Sequence, residues 1–96
     1  MRENKYQHDL KERIEKAIPG CIVLKNDPNW IQGIPDLTVL KGNRWGTLEV
    51  KRSEDSPHQP NQEWYVETMN GMAFSAFIFP ENEKEILDEL QRALES

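Results

Sequence analysis

Asp36 and the run Glu49-Val50-Lys51 are the residues of this 96-residue chain whose types and spacing best suit chemistry. Two β-rich runs, 36–41 and 44–51, meet at Gly42-Asn43, a pair that signals a two-residue hairpin loop. With that loop Lys41 pairs with Arg44, and counting back along both strands sets Asp36 across from Glu49. Directly opposed residues have Cβ atoms about 4.5–5.5 Å apart. Two carboxylates at that separation repel unless a cation or a proton lies between them. Strand alternation puts Lys51 on the face of Glu49 and turns Val50 toward a core. Such a group suits a hard divalent cation, Mg²⁺ with Mn²⁺ as a substitute, which takes oxygen ligands and is held by one or two carboxylates plus water and substrate phosphate. Asp36 and Glu49 are the expected ligands, with the Val50 carbonyl as a third. The cation would polarise a phosphate and lower the pKa of a bound water. Lys51 would orient that water or offset charge developing at phosphorus. The plain alternative is a solvated hairpin end with one acid on each strand, and the opposed register favours the metal site over it.

The elements that must position this group follow from periodicity. Tyr6, Leu10, Ile14, Ala17 and Ile18 recur at helical spacing over 3–18, and Pro19-Gly20 stops the helix. Residues 21–24 form a short apolar run that reads as a buried strand. Residues 26–35 are a turn-rich loop, and the hairpin 36–51 follows. A polar loop over 53–60 precedes a helix over 61–70, with Tyr65, Val66 and Met69 inward. Residues 73–79 are strongly β-like. The last helix starts at Asn82, with Glu85 placed for a capping box and Ile86, Leu87, Leu90, Ala93 and Leu94 as its apolar stripe. The order αβββαβα, without internal repeat or linker, predicts an α/β fold: one mixed sheet with helices on its faces.

The length fits a single domain over 1–96, able to bury roughly 60–70% of its unfolded surface. A hydrophobic share of 36% and a charged share of 30% fit a folded domain rather than a disordered one. No apolar run approaches the ~18 residues of a membrane span, and no apolar signal segment opens the chain. One cysteine, Cys21, excludes an internal disulfide, so a cytoplasmic location is the expectation. His8, His58 and Cys21 lack zinc-ligand spacing. The net charge is −5, unevenly placed. Residues 1–52 carry ten Lys/Arg and seven Asp/Glu, whereas 53–96 carry two and ten. The half that holds the acid pair is therefore the basic half, as a phosphate-facing surface requires.

Pro35-Asp36 and Glu49-Val50-Lys51 resemble the signature of the PD-(D/E)XK nuclease superfamily. Gly33-Ile34-Pro35-Asp36-Leu37, with Ser53, Pro57, Gln62, Tyr65, Met69 and Gly71 after the lysine, is similar to the small VRR-NUC-type phage and bacterial nucleases. The resemblance spans roughly Glu3 to Pro80. It implies a restriction-endonuclease-like core and a Mg²⁺-dependent deoxyribonuclease in a bacterial or phage-infected cell, structure-specific or junction-resolving. It also implies an acid from the first helix. Glu3 lies on the stripe of Gln7, Leu10 and Ile14 and precedes Tyr6 as an acid-x-x-aromatic start. Glu12 sits some 200° from Leu10 and should face solvent. Glu3 serves equally as a complement to the helix dipole. Gln62 matches a glutamine that would position water or a phosphate oxygen, or it is an ordinary helix-surface amide. Gln7, on the stripe of Glu3, is a further hydrogen-bonding candidate.

Several DNA contacts are expected beside these. Trp30 would stack on a base or pack on the hairpin. Gly33 would let backbone approach a phosphate or simply shape its loop. Lys25, Lys41, Arg44 and Arg52 are phosphate contacts or solvated charges, whereas Trp45 and Trp64 are read as structural. Branched DNA with two scissile strands predicts a homodimer, with the apolar surplus of 73–79 and the last helix as its interface. The competing class is a non-catalytic DNA-binding or protein-interaction module, which the negative net charge favours.

Overall fold

The computed structural model describes residues 3–95, and the side chain of Glu3 lies outside the described residues. Helix α1 (Glu3–Ala17) is followed by strands β1 (Ile22–Lys25), β2 (Leu37–Lys41) and β3 (Arg44–Val50). Helix α2 (Gln62–Met72), strand β4 (Ser75–Ile78) and helix α3 (Glu83–Glu95) complete the chain. The four strands form one sheet in the order β1-β2-β3-β4. The first two pairings are antiparallel and β3–β4 is parallel, so the expected α/β order and mixed sheet are observed.

The hairpin register is the one read from the sequence. Lys41 pairs with Arg44 and Leu37 with Leu48; one further step sets Asp36 opposite Glu49. Gly42, at φ 61°, takes the first loop position and Asn43 the second. A left-handed first residue is the two-residue turn whose twist matches flanking strands, and only glycine takes it without strain.

Alternation along β2 and β3 sorts the two sheet faces. Leu37, Val39, Leu48 and Val50 face one side, where Tyr6, Leu10, Ile14 and Ile18 of α1 and Leu90 and Leu94 of α3 close the core with Ile78. The opposite face carries Thr47, Glu49 and Ser75 under α2. There the Thr47 hydroxyl lies 2.8 Å from Ser75 Oγ and 3.7 Å from the Met69 sulfur. Gly46 keeps α3 close: a Cβ there would sit 2.8 Å from Leu90 Cδ1.

Several sequence expectations change. The run 21–24 is not a buried strand. β1 is a sheet edge, and Ile22 and Leu24 are exposed because α2 does not reach them. Trp64, 60% exposed on α2, packs edge-to-face against Tyr65 with ring centroids 5.0 Å apart. The capping box at Asn82 gives way to a different use of its amide. Asn82 Oδ1 accepts the Phe79 N–H at 2.9 Å and its Nδ2 donates to the Phe77 carbonyl at 3.1 Å, which braces the end of β4. The apolar stripe of α3 is absorbed by the core, with Ile86 and Leu87 packed beside Leu90 and Leu94. No described helix is long and apolar enough to cross a membrane.

Candidate functional site

The site starts where β2 begins. Proline has no N–H, so Pro35 cannot extend the ladder toward Val50. Val50 N–H instead donates to Asp36 Oδ2 at 2.8 Å. The Asp36 carbonyl points the other way and accepts the Asn26 N–H at 2.8 Å. Asp36 and Glu49 therefore form a pair that exchanges no ladder bonds, the closer of the two kinds of antiparallel pair. N–H and C=O of a strand residue share a side, so the Val50 carbonyl also faces the end of β2. Pro35 has no N–H to offer it. Two carboxylates and this carbonyl are hard oxygen donors converging at one strand end, which fits a Mg²⁺- or Mn²⁺-type cation.

Glu49 and Lys51 are 2% and 5% exposed. Charged side chains are almost never that buried unless paired. Lys51 Nζ lies 4.0 Å from Glu49 Oε2. It donates to the Pro57 carbonyl at 3.1 Å and to Gln62 Oε1 at 2.7 Å. Gln62 Nε2 donates to Glu49 Oε2 at 3.1 Å, while its oxygen also accepts the Gln59 N–H at 2.8 Å. One amide on the first turn of α2 thus holds both ends of the buried acid–lysine pair. Removing one partner of such a pair leaves an uncompensated buried charge, which costs about 3–5 kcal/mol.

The loop 52–61 is part of the site in a way its composition did not signal. Its Pro57 carbonyl anchors Lys51. The His58 ring stacks on Phe77 at 4.1 Å between centroids, and its Nδ1 lies 2.9 Å from Glu63 Oε1. Both contacts pin the loop to β4 and α2. Polar loops all look alike in sequence, and only the turn-forming Pro57 and Pro60 hint at rigidity.

The other expected residues divide. Lys25 ends β1 across from Leu37 and is exposed, and Arg52 is exposed next to Lys51. Lys25, paired with Leu37, lies on that residue's sheet face, opposite the face of Asp36 and Glu49, whereas Arg52 directly follows Lys51. Lys41 and Arg44 lie at the far end of the hairpin, five residues or about 17 Å along the strand from Asp36. Lys41 is engaged there, its Nζ donating to the Pro19 carbonyl. The structure does not bring these two to the site. Gly33 has φ +89°, and a Cβ on it would lie 2.6 Å from Asn61 Cβ and 2.8 Å from the Pro60 carbonyl oxygen. Its closeness is to the start of α2 rather than to open space. Trp30 is 83% exposed. Gln7 is buried on α1, beside Leu37 and Lys25, whereas Glu12 faces solvent as expected. Glu3 opens α1, and its expected role falls on a side chain outside the described residues. Among the described residues no three His, Cys, Asp or Glu side chains group together.

Comparison with family models, curated proteins and solved structures found no match for this chain.

Proposed function

We propose that this chain is a divalent-metal-dependent endonuclease of the PD-(D/E)XK type, close in motif to the VRR-NUC nucleases, that hydrolyses phosphodiester bonds of branched DNA. The observation that carries the reading is the buried Glu49–Lys51 pair, held by Gln62 and set directly beside Asp36. A domain this small gains little from burying a charged pair that apolar residues could replace. Buried charged groups at one strand end are where function is expected. The element order αβββαβα, with the acids at the ends of β2 and β3, is consistent with a restriction-endonuclease-like core.

When bound, Mg²⁺ or Mn²⁺ held by Asp36, Glu49 and the Val50 carbonyl would supply Lewis-acid polarisation of the phosphate and a lowered water pKa. The protein's own groups do the rest. Lys51 is fixed by Pro57 and Gln62, which use two of its three ammonium hydrogens. The third would meet a phosphate oxygen or the attacking water, offsetting negative charge as it develops. Gln62 bridges the two groups and holds both Glu49 and Lys51 in place. Arg52, exposed next to Lys51 at the strand end, would hold a neighbouring phosphate.

The test is nicking of flap and four-way DNA by the purified chain. Cleavage should require Mg²⁺ or Mn²⁺ and fall at least a hundredfold in Lys51→Ala. Metal-independent cleavage, or a Lys51→Ala variant that cuts at the wild-type rate, would sink the reading. The second reading, a binding module without catalysis, is favoured by the net charge of −5. DNA binding without cleavage under any divalent metal would decide for it.

A further inference from the structure

Between the 26–36 loop and α2 lies a cavity of about 380 Å³, walled by Trp30, Ile31, Ile34, Thr38 and Met69 with Asn26 and the acidic Asp27 at its edge. Its most unusual wall is Trp30, a large apolar side chain left 83% exposed, with Ile31 37% exposed beside it. A solitary surface apolar residue needs no explanation, but a tryptophan and three aliphatic or thioether side chains around one concavity do.

The cavity has a definite address. Thr38 lies on the same face of β2 as Asp36, two residues or about 7 Å along the strand. Asn26 ties the cavity wall to the motif. Its side-chain Nδ2 donates to the Pro35 carbonyl and to Thr38 Oγ1, each at 2.9 Å, and its N–H donates to the Asp36 carbonyl. The wall is also built rather than slack. Asp27 Oδ1 accepts the Asn29 N–H at 2.8 Å and the Asp27 carbonyl accepts the Trp30 N–H at 3.1 Å. Gly33 is wedged against Pro60 and Asn61. The backbone that carries Trp30 is therefore held in place, and the indole stands exposed at the rim of a cavity whose Thr38 wall shares the strand face of Asp36.

We infer that this cavity is a subsite for one unpaired nucleobase of the strand whose phosphate meets Asp36 and Glu49, with Trp30 as its stacking platform. The choice of ligand rests on the nuclease reading. A base inside a duplex is stacked on its neighbours and cannot enter, whereas an unpaired base at a flap or branch point can do so at little cost. An aromatic platform accepts any base, because every base presents a π-face. The subsite would then supply preference for DNA structure without preference for sequence.

Binding is measured by fluorescence anisotropy in EDTA, where no cleavage intervenes, using a labelled ten-residue thymidine oligonucleotide and a blunt duplex of equal length. Trp30→Ala should weaken single-strand binding about tenfold, change duplex binding less than twofold, and leave the melting temperature unchanged. Trp30→Phe should restore most of the loss. Equal weakening on both DNAs, no weakening on the single strand, or no single-strand binding by the wild type would each overturn the subsite. So would a wild-type dimer in sedimentation that Trp30→Ala dissociates, because a second copy would then cover the cavity. The two readings fail separately. Lys51-dependent cleavage without a Trp30 effect overturns the subsite alone, and a Trp30 effect without cleavage retains it and overturns hydrolysis.

Discussion

Asp36 carries two duties that a substitution can separate. Its Oδ2 accepts the Val50 N–H where Pro35 ends the ladder, and its charge opposes that of Glu49 across the hairpin. Asp36→Asn keeps an amide oxygen for Val50 and removes the repulsion. It should melt at or above wild type in EDTA. Asp36→Ala leaves the Val50 N–H without this acceptor and should cost about 1–3 kcal/mol, or about 4–8 °C per kcal/mol in a domain of this size. Wild type should gain stability from Mn²⁺, about 2.7 kcal/mol at a hundred times the dissociation constant, and both variants should lose that gain. Thermal melts in EDTA and in Mn²⁺ check all of this. A full Mn²⁺ shift in Asp36→Asn would remove Asp36 from the site, and an alanine variant as stable as the asparagine variant would remove its ladder-ending role.

At the scale of elements, α1 and α3 are joined by one polar clamp at the edge of the core. Tyr6 is buried and its hydroxyl donates to Glu83 Oε1 at 2.8 Å. Arg13 grips the same carboxylate through Nε at 2.5 Å and Nη2 at 2.9 Å. Burial first, then the hydrogen bond to Glu83 and its charge, push the Tyr6 phenol well above its ordinary value of 10.0, against an opposing pull from Arg13. The folded state therefore holds this proton more tightly than the unfolded state. The clamp's contribution is complete below about pH 10 and is lost progressively as pH rises beyond it. Tyr6→Phe should be about 1 kcal/mol less stable at neutral pH, but its melting temperature should fall less steeply than that of wild type between pH 9.5 and 11.5. Circular-dichroism melts across that range decide it, and parallel slopes would show that the phenol does not couple to folding. The same scale shows what was legible in the sequence. Gly42-Asn43 is a local turn code, so the β2–β3 register and the opposition of Asp36 to Glu49 could be counted from it. The exposure of Ile22 and Leu24 could not, because a short apolar run does not reveal which strand lies at an edge. Asn82 followed by Glu85 reads as a cap, yet the edge of β4 claimed the Asn82 amide, and that edge exists only after β3 and β4 pair. Gln62 was visible as a candidate by resemblance, but its grip on both Glu49 and Lys51 depends on where α2 crosses the sheet.

The whole molecule has a radius of gyration of 12.3 Å, against about 12.5 Å expected for a compact domain of this length. One such body carries one acid pair, at one end of one hairpin. Of its four expected basic contacts, only Arg52 adjoins that pair, since Lys25 lies on the opposite sheet face and Lys41 and Arg44 sit at the far end. Cutting two strands of a junction in one encounter thus calls for two copies, and we propose that the chain acts as a two-fold dimer. Leu90 and Leu94 of the expected α3 surface are buried in the core, with Ile86 and Leu87 partly buried beside them, so that stripe has less to offer an interface. One self-complementary feature is the β1 edge, where Ile22 and Leu24 are 58% and 45% exposed on a strand with an unpaired flank. Antiparallel pairing of two β1 edges would extend the sheet across the axis and cover these side chains, the usual fate of an apolar edge. Sedimentation at micromolar concentration, with and without four-way DNA, should then show a species of twice 11.3 kDa. Ile22→Lys should return it to the single-chain mass with its circular-dichroism spectrum intact. A species at 11.3 kDa in both conditions would refute the dimer and leave an enzyme that nicks one strand per encounter; a dimer indifferent to Ile22→Lys would place the contact on another face.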